Sequence, residues 1–438
     1  MVFSVSIRAG QLKMENVLKY LAEWLEDAPN TAPEERATVA DLRLFILDQN
    51  VTLHLRENES ADHVTISLYS LAEGLIHDWW NLFGGRDREI SLIRHRNGYV
   101  VPDVRMTFDG TVFQISAHQC AYVNPDVRFW AGPTETMSRW DAETVLRRFV
   151  ENVLDRLDSR QLPRTSAALR WARVKESMAS PAEAEFCEAA GALGLDPYQL
   201  TEESADVIEH AATLFQAEAL PEFLAGSSFA NRQALMHWIE RVEHRPASYA
   251  RIGELREVAR EAEFRAPARN FEESWALGYR RARALRGVLG LVGRDRFRSF
   301  RTLAEKLGAS KAYALAGSVD GLRALRSDHP EGTYIHMRTH GESPGARNQH
   351  LFSFARAVGD AVCFPRGGRA AVNELRNAYR QSAGRAFAAE FLAPIEEVSS
   401  MLEDGRDTVS IADEFGVATT VIERQWENRA RIKSVCAA

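Results

Sequence analysis

The stretch FSFARAVGDAVCF, Phe352–Phe364, has the periodicity of a buried helix, yet it carries Arg356 and Asp360 one helical turn apart. Residues at i and i+4 lie one above the other on a helix face. When two histidines take that spacing and a glutamate follows the first, the imidazoles hold zinc and the carboxylate activates a metal-bound water. Here those positions read Arg356, Ala357 and Asp360. A guanidinium stays protonated and has no lone pair for a metal, and alanine offers no general base. One remaining carboxylate is not a site. The residues therefore predict no catalytic group and no metal on this helix. Arg356 and Asp360 are expected either to pair with each other in a buried pocket or to form an exposed i,i+4 pair.

A substitute metal site would draw on His336 and His340 in YIHMRTH, with His350 at the start of the helix. On a strand, positions 336 and 340 share a face but stand about 13 Å apart, too far to chelate together. Polar edge residues are the plainer expectation, with His336 also a candidate to line the pocket. The four cysteines, Cys120, Cys187, Cys363 and Cys436, are scattered with no CxxC pair, which excludes a cysteine-based zinc knuckle and fits a reducing compartment.

The residues around Arg356 carry a resemblance. Phe352, Ser353 and Ala355 lead into the helix, Gly359 precedes Asp360, and Phe387–Pro394 reads FAAEFLAP. From about residue 270 onward the chain resembles the ImmA/IrrE family of HExxH metallopeptidases. Members run helix, helix, short strand, an F-[ST]-x-A-H-E-x-x-H helix, then a helix with FAAExLxP. The resemblance implies a zincin-like helical domain with a small sheet over 270–400 and a helix-turn-helix-like extension over 405–435. It also implies a relic pocket of His336, Arg356, Asp360, Gln381 and Ala383. The family's third, acidic ligand falls among Gln381, Ser382 and Ala383, none of which is acidic. Active members cut or inactivate transcriptional repressors. A relic without zinc is expected to need no cofactor and to bind a protein partner as a regulatory or sensing scaffold, in mobile-element, stress or anti-phage control. Two rivals stand beside this: a nucleic-acid-binding regulator, and an active metallopeptidase with a non-standard metal site.

These positions need elements to hold them. At 438 residues the chain is too long for one core. Its composition is that of an ordinary soluble globular protein, and the patterns along it predict an α+β, α-rich multidomain architecture. Residues 1–160 mix alternating segments with amphipathic helices, a domain of unknown role with a small, largely antiparallel sheet. Residues 165–265 read as an all-α segment, followed by a linker. A net charge of −7 gives no global pull toward nucleic acid or acidic lipid. No apolar run approaches the roughly 20 residues that span a bilayer, and no leader with a cleavage site is evident, so a cytoplasmic location without membrane contact is expected.

Several local features compete for function. Arg280, Arg281, Arg283, Arg286, Arg294, Arg296, Arg298 and Arg301 crowd one stretch against Asp295. They either bind phosphates of a nucleic acid or pair with acids such as Glu254, Glu257, Glu261 and Glu263. SIADEFGVATTVIERQWENR has the shape of a helix-turn-helix, with Arg424, Gln425, Asn428 and Arg429 of the types that read bases, but Asp413, Glu414, Glu423 and Glu427 would repel phosphate. Pro102-Asp103 outlines a nuclease motif whose later positions, Gln114, Ile115 and Ser116, lack the second acid and the lysine. Trp79 and Trp80 are expected in the core.

Overall fold

The computed structural model describes residues 17–26, 32–86, 88–227, 232–243, 250–269, 272–309, 321–338, 343–366 and 368–436. The chain divides into two compact units. The first takes residues 1–82, 89–107 and 111–179; the second takes 83–88, 108–110 and 180–438.

Among the described residues, the first unit is built from antiparallel strands and four α-helices. Its elements are β1 (Leu18–Trp24), α1 (Pro33–Ala37), β2 (Val39–Ile46), β3 (Gln49–Asn50), β4 (His54–Arg56), β5 (Glu59–Ala61), β6 (Val64–Ser67), α2 (Leu68–Gly84), β7 (Ile90–Ser91), β8 (Asp103–Phe108), β9 (Val112–His118), β10 (Cys120–Tyr122), β11 (Val127–Phe129), β12 (Thr134–Ser138), α3 (Arg139–Ser159) and α4 (Ser166–Ala179). The described strands form not one small sheet but three, ordered β1-β2-β3 with β6 also on β2, β10-β11-β4-β5, and β12-β9-β8-β7. In β2, Leu42, Leu44 and Ile46 alternate inward, the period of a half-buried strand. On α3, Ala142, Leu146, Phe149, Val150, Val153 and Leu157 form the buried stripe, and the Ser138 side chain caps the helix by accepting from the Asp141 amide at 3.0 Å. Trp79 and Trp80 are both buried, and Trp79 meets Trp171 of α4 edge to face at 5.0 Å.

The second unit runs α5 (Pro181–Leu193), α6 (Glu202–Leu214), α7 (Ala219–Ala225), α8 (Arg232–Glu243), β13 (Ala250–Ile252), α9 (Leu255–Arg265), α10 (Ser274–Val288), α11 (Phe300–Lys306), β14 (Leu322–His329), β15 (Gly332–Met337), α12 (Pro344–Cys363), β16 (Arg369–Asn373), α13 (Tyr379–Leu392), α14 (Ile395–Glu403), α15 (Thr408–Phe415) and α16 (Thr419–Cys436). Among its described residues the central segment is not all-α: besides its helices it holds β13, which joins the antiparallel sheet β13-β15-β14-β16. Residues of α5–α8 share one apolar cluster with Leu322, Leu325, Tyr334 and Ala371, so these helices cover one face of the sheet. Alternation sends Arg326, Ile335 and Met337 to the other face, where α12 packs.

Two glycines bring the helices together. A Cβ on Gly278 of α10 would stand 2.4 Å from the Ala383 carbonyl oxygen and 2.8 Å from the Phe387 amide nitrogen. A Cβ on Gly359 of α12 would stand 2.6 Å from Cδ1 of Phe387. α13 is therefore held between two Cβ-free surfaces, and Phe387 of FAAEFLAP rests directly on Gly359. The architecture is α+β and multidomain: a mixed N-terminal region, a central helical segment and a C-terminal helical region with a small sheet. Among the described residues, no helix is long and apolar enough to cross a membrane.

Candidate functional site

α12 begins earlier than the Gly/Pro-containing sequence GESPGARNQ implies. Ser343 accepts from the Ala346 amide at 3.2 Å and Pro344 takes the first turn, a combination that starts helices. Leu351, Phe354, Ala355, Val358, Ala361 and Val362 are buried as their spacing predicts. Ala357 is buried too, and Arg356 and Asp360 are only 5% and 4% exposed.

Arg356 and Asp360 do not pair with each other, contrary to both sequence expectations. Asp360 is held by two other arginines. Arg326 of β14 approaches Oδ2 at 2.9 Å. Arg380 of α13 grips both oxygens, Oδ1 at 2.9 Å and Oδ2 at 3.0 Å through Nη2, and Oδ1 again at 3.1 Å through Nε. Arg326 is fully buried and also reaches Asp328 at 3.2 Å. Arg380 stacks over the Phe364 ring at 4.9 Å. Bidentate geometry of this kind is the strong form of the arginine–carboxylate bond.

Arg356 turns to a different set of acceptors. Its Nη2 donates to the Asn373 carbonyl at 2.6 Å and to Gln381 Oε1 at 3.1 Å. Burial lowers its pKa to about 9, with Arg385 acting in the same direction and Glu374 against it. Gln381, one of the three residues among which the resemblance would place an acidic ligand, uses all of its hydrogen-bonding capacity. Nε2 donates to Glu222 Oε2 at 2.9 Å and to the Ala371 carbonyl at 2.8 Å, and Oε1 accepts from the Asn373 amide at 3.0 Å and from Arg356. Ala383 is fully buried against α10.

The fifth residue of the expected pocket lies elsewhere. His336 pairs with Leu325 across the β14–β15 ladder and stacks on Tyr334 at an interplanar angle of 11°. Leu325 and Tyr334 belong to the cluster under α5–α8, so His336 faces away from α12. Burial pulls its pKa down to about 3, with His329 and Arg369 adding to the effect. His350 packs edge-on against Phe300. His340 lies outside the described residues. Among the described residues no three His, Cys, Asp or Glu side chains converge on a metal position. The groups at the HExxH register do not fit zinc: a guanidinium, a methyl group, and a carboxylate whose oxygens are occupied by arginines.

One site residue was missed in the sequence. Glu222 of α7 is buried, accepts the Arg380 amide on Oε1 at 3.3 Å and takes Gln381 on Oε2. Burial pushes its pKa up to about 7; Arg380, the Gln381 bond and Arg86 oppose the rise, and Asp360 adds to it. A lone acid inside the apolar run ALPEFLAG was the available signal.

The arginine-rich stretch is largely tied inside its own unit. Arg280 pairs with Glu272 at 2.6 Å, Arg281 with Glu263 at 3.4 Å, Arg283 with Glu390 at 2.7 Å, and Arg294 with Glu397 at 3.1 Å. Arg296 pairs with Glu414, and Arg286 donates to the Phe391 and Val292 carbonyls. Arg301 lies over the Phe300 ring, and Arg298 is exposed. Of the acids flagged by sequence proximity, Glu263 is the partner found. Glu390 of FAAEFLAP also accepts the Ile395 amide at 3.0 Å, which starts α14 beyond Pro394.

In the C-terminal helices, Asp407 caps α15 through the Ser410 amide at 2.9 Å, and Gly416 makes the turn at φ 66°. Gln425 is buried, donating to the Ala393 carbonyl at 2.8 Å and accepting from Tyr279, and Arg429 folds onto Trp426. Arg424 and Asn428 are exposed. In the first unit, Asp103 bonds Ser91 Oγ at 2.7 Å and Arg105 Nε at 2.9 Å, anchoring β7 to β8.

Comparison of the chain with protein-family models, curated proteins and solved structures finds no match. The functional reading rests on the geometry of the second unit and on the residues that shape it.

Proposed function

We propose that this chain is a catalytically inactive, ImmA/IrrE-like protein of the cytoplasm that acts as a regulatory or sensing scaffold by binding a protein partner. On this reading, the C-terminal unit keeps a zincin-like frame with a helix-turn-helix-like extension and has exchanged metal chemistry for a structural ion network. Its setting would be mobile-element, stress or anti-phage control. The observation that supports it best is Asp360: at the register of a metal ligand, its carboxylate is held by Arg326 and Arg380. The motif residues that match the family, Gly359 and Phe387, are those that pack helix on helix. Those that depart are the ones that would do chemistry. The internal pairing of the Arg280–Arg296 stretch weighs against the nucleic-acid reading.

The test is affinity purification of the full chain from its own cells. The expected result is a protein partner at constant stoichiometry, uncleaved and retained after nuclease treatment. Recovery of nucleic acid instead, bound in a strongly salt-dependent manner, would overturn the reading. So would cleavage of the partner by the purified chain.

A further inference from the structure

β1 lies at the edge of its sheet. Among the described residues it pairs with β2 alone, from Leu18 opposite Ile46 to Trp24 opposite Ala40. At the two ends of that ladder, the Leu25 amide donates to the Val39 carbonyl at 3.0 Å and the Leu47 amide to the Val17 carbonyl at 2.7 Å. Hydrogen-bonded pairs alternate along an antiparallel ladder, so the main chain of the odd-numbered residues turns toward β2. The main chain of Leu18, Tyr20, Ala22 and Trp24 turns the other way and supplies the N–H and C=O groups of the outer edge. Such an edge is a template for a further strand.

The side chains show which strand fits. Tyr20 and Trp24 take the face that meets α3, Tyr20 edge to face with Phe149 at 5.2 Å and Trp24 beneath the Arg156 guanidinium at 5.4 Å. Alternation puts Lys19, Leu21 and Glu23 on the opposite face. Leu21 is the middle residue of the strand and is 49% exposed. With Phe45 and Leu47 it lines an apolar groove that Lys19 and Asp48 also border. Two residues to one side of Leu21 stands a cation, and two residues to the other an anion. Both are held only by exposed pairs, Lys19 with Asp48 at 3.2 Å and Glu23 with Arg43 at 3.1 Å. The Glu23 side chain is 70% exposed, and pairs of this kind contribute little.

We propose that β1 pairs antiparallel with β1 of a second copy of this chain, about a two-fold axis at Leu21. In that register Lys19 of each copy stands opposite Glu23 of the other, and symmetry makes the ion pair twice. Leu21 meets its own equivalent, and on the α3 side Tyr20 meets the small Ala22. The main chain agrees with the side chains. Tyr20 with Ala22, and Leu18 with Trp24, become the hydrogen-bonded pairs, through the groups that β2 leaves unused. Lys19 with Glu23, and Leu21 with Leu21, become the other kind of pair, in which side chains stand closer. Moving the axis by one residue, to Tyr20 or to Ala22, keeps the hydrogen bonds but sets Lys19 or Glu23 opposite Leu21. The charges therefore select one register. The interface does not depend on the scaffold reading, because it lies in the first unit and calls for no other protein.

The experiment is sedimentation equilibrium of the full chain over a concentration series, with circular dichroism to check that each variant is folded. The wild type is expected to reach a dimer. Lys19→Glu or Glu23→Lys sets like charges opposite each other at both symmetric pairs, so each variant alone should dimerise at least about tenfold more weakly. Mixing the two variants in equal amounts restores opposite charges at both pairs, and the mixture should regain the association of the wild type. A variant that had merely lost its fold could not be rescued in this way. A wild type that stays monomeric throughout the series overturns the proposal. So does a dimer that either single reversal leaves unchanged, or one that the mixture fails to restore.

Discussion

Replacing Asp360 by alanine is expected to destabilise the second unit by about 3–5 kcal/mol, the usual consequence of stripping one partner from a buried ion network. Asp360 is the carboxylate that Arg326 and Arg380 share, and Arg326 has no exposed surface. Without Asp360, the Arg326 head keeps Asp328 and the Phe364 carbonyl, and Arg380 keeps the Phe364 ring. Two guanidiniums would then face each other across a vacated position, adding repulsion to desolvation. Urea denaturation of wild type and variant measures the difference. Asp360→Asn should fall between them, since an amide oxygen can accept one arginine but carries no charge. A loss below about 1 kcal/mol would place Asp360 among ordinary surface ion pairs and remove the structural reason for its burial.

The second large effect is a pH dependence centred on Glu222. Its folded pKa is raised from 4.5 to about 7, so the native state holds a proton that the unfolded chain releases. Stability is therefore present in full below the unfolded value and is lost as pH rises toward the folded one. A shift of this size corresponds to at most about 3 kcal/mol between pH 5 and pH 8. His336 acts with the opposite sign: its folded pKa near 3 makes stability fall as pH drops below its ordinary value of 6.5. The informative quantity is the difference between wild type and Glu222→Gln, which cancels His336. Wild type should lose stability relative to the variant as pH rises from 5 to 8. A constant difference across that range would mean that Glu222 is ionised throughout and paired with Arg380.

The helices themselves were legible. The apolar stripes of α3 and α12 gave their buried faces directly, because a period of 3.6 depends only on neighbours in sequence. The start of α12 was not, since glycine and proline in GESPGARNQ look like a loop until the Ser343 side chain is seen to accept the Ala346 amide. Partner choice was even less accessible. That Arg356 and Asp360 share a helix face made an internal pair the natural expectation, but carboxylates and guanidiniums from other elements compete for them. Arg326 comes from a strand, Arg380 from α13, and Glu222 from a helix separated from Gln381 by 159 residues. His336 shows the same limit. Alternation tells that it shares a face with Tyr334, but only the packing of α5–α8 tells which face that is. The arginine-rich stretch found most of its acids in α13, α14 and α15 rather than in the helix just before it.

The most direct measurement of the central claim is the zinc content of the full chain, purified without a histidine tag. Arg356, Ala357 and an Asp360 already bound by two arginines leave no ligand set at the HExxH register. The expected value is below about a tenth of an equivalent, unchanged by Asp360→Asn. About one equivalent of tightly bound zinc, reduced by substitution of His336, His340, His350 or Asp360, would contradict this and make the chain a metal-binding protein.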